Sequence, residues 1–364
     1  MSTGARNPLL VLAAAAAPKK APPRTAAQRA KAAAAAKAVL AVADQFIIPA
    51  YRSLAEATEI QERAWTAFAT NRQAGDFASL RTAYNGTCDA WATAQIVKTG
   101  PVSLFLRYDR FAYWPEARNV TQRTLDALLR ANDPKELTPQ TLAHDNVAAQ
   151  GLTALERLLY DGDNPEAPLK APDGAWRAAV GKGIAANLSA IAKDVLSDWT
   201  APDGVRAAIA ANKPWKSIFA DTQEAASLLL TDLVTAFRVM HDIKLLAVTG
   251  ANIDAAKPKS AEAWRSGRSQ RDLKLNLDAA HAMEKPFAVG ATAAHRARLE
   301  TLFATADKAV AEVPADLGEA AADAKRRPQV EAARLAIKAV QTEMAKTLPG
   351  DLGLVLGFNS LDGD

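Results

Sequence analysis

The residues with types and spacing suited to chemistry begin with Gly151-Leu152-Thr153-Ala154-Leu155-Glu156. On an α-helix, positions three apart share a face, so the Thr153 hydroxyl and the Glu156 carboxylate can address one ligand. A carboxylate is a hard oxygen donor suited to a divalent cation, and a catalytic metal usually takes three protein ligands plus an open position for water. Glu156 is the one metal ligand this segment offers. In a continuous helix Asp145 shares its face but lies about 16 Å along the axis. His144, His241, His281 and His295 are scattered, and none builds a recognisable metal motif with a second His or Glu. His241 stands apart only because Asp242 and Lys244 beside it make a polar break in an apolar helix. The single cysteine, Cys88, excludes an intrachain disulfide and fits a helix-bundle core.

Two other clusters belong with this one. Leu104 to Asn119 packs aromatics and opposite charges around a proline, and reads either as a packed irregular link between helices or as a cleft wall with Trp114, Glu116 and Arg118 beside a cavity under Glu156. Ala261 to Leu277 carries Arg265, Ser266 and Arg268, followed by Ser269 and Asp272, which have the spacing of a helix-capping pair. Thr153 has two readings: a hydroxyl bonded back to the carbonyl one turn earlier, or the wall of a small polar pocket. A Glu buried between helices without a metal needs a basic partner. Arg107, Arg110, Arg118, Arg265 and Arg268 can supply it, so the sequence predicts a Glu156–Arg ion pair.

The elements that must position these residues are helical. The chain has 364 residues, 49% hydrophobic and 23% charged, with a net charge of +4 spread along its length. No aromatic-plus-basic block suits nucleic acid, which excludes that class of partner. Val39, Val42, Phe46, Leu54, Trp65 and Phe68 recur at helical intervals from about 25 to 70, with Pro49 expected to kink or break the helix. A second helix starts at Gly75-Asp76 and ends before Gly100-Pro101, and a short one covers about 122 to 131. Thr138-Pro139 opens a helix that carries Glu156, with Leu142, Ala149, Leu152, Leu155 and Leu159 as its buried stripe and Gly162 as its stop. Further amphipathic helices cover about 176 to 199, 221 to 248, 269 to 281, 291 to 313 and 326 to 347. No stretch alternates with period two.

The class is therefore all-α, organised as two packed four-helix-bundle-like domains. The Pro-, Gly- and Asp-rich run from 161 to 174 marks the boundary, which gives a tail or signal at 1–37, a first bundle at 38–165 and a second at 166–364. Arg6, the apolar run Leu9 to Leu12 and the small residues Ala13 to Ala17 have the order of a secretory signal. No later stretch reads as long and apolar enough to span a bilayer.

Four segments in chain order resemble the imelysin family: Tyr113-Trp114-Pro115, Gly151-x-Thr153-x-x-Glu156, the Arg/Ser turn at 265–268, and the ending Gly357-Phe358-Asn359 to Asp362-Gly363-Asp364. The family's signature is G-x-H-x-x-E, so Thr153 occupies the place of the histidine. The resemblance implies two packed four-helix bundles with Gly151, Thr153 and Glu156 at their interface and Arg265, Ser266 and Arg268 facing them. It also implies export to the periplasm or cell surface and an association with iron uptake, in a family first described as metallopeptidases. With one motif ligand missing, the expectation is a non-enzymatic envelope protein that works with an envelope partner protein in metal acquisition. No cofactor is certain, and iron or another divalent metal is the ion the family points to. The alternatives are a metallopeptidase using Glu156, or a helical scaffold that binds a small molecule or peptide in the inter-domain cleft.

Overall fold

The computed structural model describes residues 24–116 and 118–357. Among them there is no sheet, and the one strand-like contact is an isolated bridge between Trp215 and Phe219. The signal-like segment and the last seven residues lie outside the described range.

The longest element, α1 (Ala26–Thr70), runs the length of the molecule. Thr25 opens it with a reciprocal capping box: its hydroxyl accepts from the Gln28 amide, and the Gln28 side chain accepts from the Thr25 amide. Pro49 does not break it. A π-turn at Ala43–Ile47 precedes the proline, and this wider turn absorbs the missing N–H and the ring. By length and composition α1 is apolar enough to cross a bilayer, yet its stripe Ala35, Val39, Val42 and Ile47 is buried against other helices.

The helices that follow are α2 (Phe77–Ala94), α3 (Arg107–Phe111), α4 (Val120–Ala131), α5 (Leu152–Tyr160) and α6 (Ala175–Thr200). Then come α7 (Thr222–Arg238), α8 (Ser269–Ala288), α9 (Ala293–Ala311) and α10 (Arg327–Leu352). The second half of α1 packs on α2 and α6, and its first half packs on α7, α8 and α10. One helix thus serves two groups. The expected boundary near residue 165 does not separate them, because α6 lies beyond it and returns to α1. Gly181 of α6 allows that approach: a Cβ there would meet the Trp65 ring at 2.2 Å.

The segment carrying Glu156 is also not the single helix expected from Thr138. Thr138 caps only the turn Pro139–Leu142, a 3₁₀ turn follows at Val147–Ala149, and α5 starts afresh after Gly151. Asp145 and Asn146 cause the break. The Asp145 side chain accepts from the Asn146 amide and the Asn146 side chain from the Ala148 amide, in competition with helical bonding. The stripe Leu142, Ala149, Leu152, Leu155 and Leu159 is buried as expected, and Gly162, at φ +82°, follows the helix end in the left-handed region. At the other end of the chain Gly353 closes α10 with φ +64°, and Leu354 is buried behind it.

One core group is out of character. Glu284 on α8 is 2% exposed, and its Oε1 has no hydrogen-bond partner. Burial, helped by the nearby Glu300 charge, pushes its pKa up to about 7. A carboxyl whose pKa is raised on folding adds stability below its unfolded value, and that stability is lost as pH rises to about 7. Glu284→Gln is expected to raise the melting temperature at pH 8 by about 3–6 °C and to flatten its fall between pH 5 and 8. Thermal unfolding followed by circular dichroism across that range measures both effects.

Candidate functional site

The start of α5 is pressed against α3. A Cβ on Gly151 would lie 2.6 Å from the Phe111 carbonyl oxygen and 2.7 Å from that of Arg110, so only glycine fits. Around it Arg110 donates to Gln150 at 2.8 Å and to Asn187 at 3.0 Å, and Asn187 donates to the Gln150 carbonyl at 3.0 Å. Thr153, two residues on, does not bond back along its own helix. Its hydroxyl donates to the Tyr113 carbonyl at 3.2 Å. That bond ties α5 to the segment in which Trp114, Pro115 and Glu116 turn toward a cavity of about 590 Å³.

Glu156 faces the same cavity and is 4% exposed. Its Oε1 accepts two bonds from Ser266, one from the backbone amide at 3.0 Å and one from the hydroxyl at 2.7 Å. Burial raises its pKa, while the two Ser266 bonds pull the other way. The predicted Glu156–Arg ion pair is not there, because the arginines are committed elsewhere. Arg265 binds Asp161 at 2.6 Å, and Arg268 binds Asp89 and, at 2.8 Å, Asp272. Arg107 pairs with Asp198 at 2.8 Å. Arg110 serves Gln150 and Asn187, and Arg118 is exposed, with its carbonyl accepting from Arg123. Arg118 is therefore not a cavity residue, whereas Glu116 is, held by Arg157 at 3.3 Å.

The expected cap at Ser269 and Asp272 is replaced by longer-range bonds. The Ser269 hydroxyl donates to the Glu262 carbonyl at 2.5 Å, and Asp272 accepts from Arg268. These bonds fasten the turn before α8 and leave Asp272 lining the cavity beside Glu156 and Arg265. Burial raises the Asp272 pKa, with the Glu262 charge adding to it.

Sequence reasoning missed Lys244, Glu262 and Asn276. Lys244, buried on the π-turn Val239–Leu246, pairs with Glu262 and donates to Asn276 at 2.6 Å. The polar break noted around His241 was its trace. His241 itself lies 2.5 Å from Asp242 and 3.0 Å from Arg334, and is not among the residues lining the cavity. The other histidines are equally remote: His295 meets Asp351, His281 stacks on Phe303, and His144 lines a separate surface pocket with Asp145.

The donor set does not fit a metal. Thr153 spends its proton on a carbonyl, Glu156 gives one oxygen to Ser266, and among the described residues no group of three His, Cys, Asp or Glu side chains is placed to hold an ion.

The model of the imelysin family matches residues 47–344, a span that contains α2 to α9 and the whole cavity. The chain belongs to the imelysin family. Its fold is similar to that of an imelysin-like protein from Psychrobacter arcticum, with a TM-score of 0.73 at 21% identity over 90% of this chain and 98% of the other. It is also similar to an iron-regulated protein A precursor from Parabacteroides distasonis, with a TM-score of 0.70 at 14% identity over 92% of this chain and 96% of the other. No curated protein matches the sequence. In this imelysin-family chain the inter-helix site is closed by a serine–carboxylate bond.

Because Ser266 supplies both donors to a buried carboxylate, its hydroxyl is expected to matter. Ser266→Ala leaves the backbone bond and removes the other, which costs about 1–3 kcal/mol for a charged acceptor. Urea unfolding checks this: a loss below about 0.5 kcal/mol would mean that the hydroxyl does not hold Glu156.

Proposed function

We propose that this chain is a non-enzymatic binding protein of the cell envelope that works in iron acquisition, with the cavity between its helix groups as the ligand site. The observation that carries the reading is the state of Thr153 and Glu156. Both are bonded to protein groups, and among the described residues no group of three His, Cys, Asp or Glu side chains is placed to hold a metal. A metallopeptidase needs a metal with an open position for water, and these donors do not build one. On this reading Thr153 stands where metal-binding relatives carry an imidazole, and the cleft has passed to an organic ligand.

Family membership supports the association with iron, as does the iron-regulated precursor of similar fold. The word precursor, with the signal-like order of Arg6, Leu9 to Leu12 and Ala13 to Ala17, supports export to the periplasm or cell surface. The cavity supports the binding role: Trp91, Trp114, Leu152 and Ile243 give it apolar walls, and its volume suits a small organic molecule. An envelope partner protein would then receive what the cavity holds.

In iron-starved cells the protein is expected in the osmotic-shock fraction. Purified from there, it should leave an unfolded peptide intact with or without added zinc. Zinc-dependent cleavage that disappears in Glu156→Gln would establish the metallopeptidase reading instead.

A further inference from the structure

Four carboxylates line the cavity, and three have a basic partner. Glu116 is paired with Arg157, Glu262 with Lys244, and Asp272 with Arg268. The fourth, Glu156, has only the neutral donors of Ser266, both on Oε1. Its Oε2 has no protein partner among the described residues, and it is not among the unpartnered oxygens sealed from solvent. In a residue only 4% exposed, an oxygen that keeps accessible surface faces the cavity that the residue lines.

The Arg265 charge acts on Glu156 from a distance, but a buried carboxylate oxygen with no direct partner is still costly, and the cost is relieved when a cation arrives. A bare metal ion is a poor candidate, because among the described residues no group of three His, Cys, Asp or Glu side chains is placed to hold one and the other three carboxylates of the cavity are paired with basic groups. An ammonium asks for less: hydrogen-bond acceptors for its N–H groups and room for the body that carries it. The cavity supplies both, with the free Glu156 oxygen at one wall and Trp91, Trp114 and Ile243 forming apolar surface around a space of about 590 Å³. Of the basic side chains that line the cavity, Arg157 and Arg265 are paired with other carboxylates and Lys259 stands over the Trp264 ring, and among the described residues neither Lys257 nor Lys259 forms an ion pair with Glu156.

We propose that the cavity binds an organic amine, its protonated nitrogen on Glu156 Oε2 and its apolar or aromatic body against Trp91 and Trp114. The proposal rests on the reading of the cavity as a ligand site and names the chemical class it accepts. An anionic ligand would bring like charge to the Glu156 oxygen, and a neutral hydroxyl could donate to it without offsetting its charge.

Isothermal titration of the purified full-length protein at pH 7.5 with three probes of equal shape tests it. Phenethylamine carries the cation, 2-phenylethanol is its neutral analogue and phenylacetate its anionic one. Phenethylamine is expected to bind at least tenfold tighter than 2-phenylethanol, with phenylacetate weakest. Glu156→Gln keeps an acceptor for Ser266, a melting curve verifies that it folds, and it should erase the tenfold preference of phenethylamine over 2-phenylethanol. Binding without preference among the three, or a preference that survives Glu156→Gln, overturns the amine assignment and leaves the binding-cavity reading standing. No binding of phenethylamine at millimolar concentration also overturns it. If all three probes fail and zinc then binds with one equivalent lost in Glu156→Gln, the binding-cavity reading falls as well.

Discussion

The bond from Ser266 to Glu156 is the constraint around which the rest of the site is arranged. It joins α5, which sits among the first group of helices, to the turn that opens α8 in the second. A carboxylate taken out of water must be given donors, and a turn that can give two from one residue is closely specified. The surrounding network follows from holding that turn in place. Arg265 reaches back to Asp161 at the end of α5, Arg268 and Arg271 both reach Asp89 on α2, and Asn276 donates to the Ala92 carbonyl at 2.6 Å. On α7, Asp232 accepts from the amides of Lys98 and Thr99 at 2.9 and 2.7 Å. The two groups of helices therefore meet through polar ties as well as apolar packing, and a cavity persists where those ties hold the walls apart.

How much of this could be read from the sequence depended on whether the signal was local. Helix starts were legible where a side chain caps its own backbone, as Asp76 does by accepting from the Ala78 amide at 2.9 Å. Apolar periodicity identified the buried faces of α1, α2, α6 and α7. It could not say which helix each face meets, so α6 was grouped with the chain that follows it when it packs on α1. Pro49 was misjudged for a similar reason, since a π-turn five residues long is an alternative to a break and leaves no composition signal.

The candidate site divides in the same way. Gly151, Thr153, Glu156, Ser266 and Trp114 could be named because the family pattern places them, whereas the carbonyls that leave no room for a side chain at Gly151 come near it only in the fold. Their partners could not. Five arginines were within reach of Glu156 in the sequence, and which of them is free depends on where Asp89, Asp161 and Asp198 lie after folding. Long-range ion pairing settled that choice in favour of a neutral donor. Lys244 and Glu262 escaped notice because a buried Lys–Glu pair is assembled from segments that carry no shared motif.

Charge accounting links the structure to its proposed role. The site keeps one buried carboxylate oxygen without a direct partner and sets it beside aromatic walls, an arrangement suited to holding a ligand more than to turning over a bond. The most direct test of that account is the metal content of the purified protein by elemental analysis, before and after incubation with ferrous, ferric and zinc ions, with Glu156→Ala alongside. The account predicts less than stoichiometric metal in both proteins and no difference between them. One equivalent of metal in the wild type, lost in Glu156→Ala, would contradict it and return Glu156 to the role of a ligand.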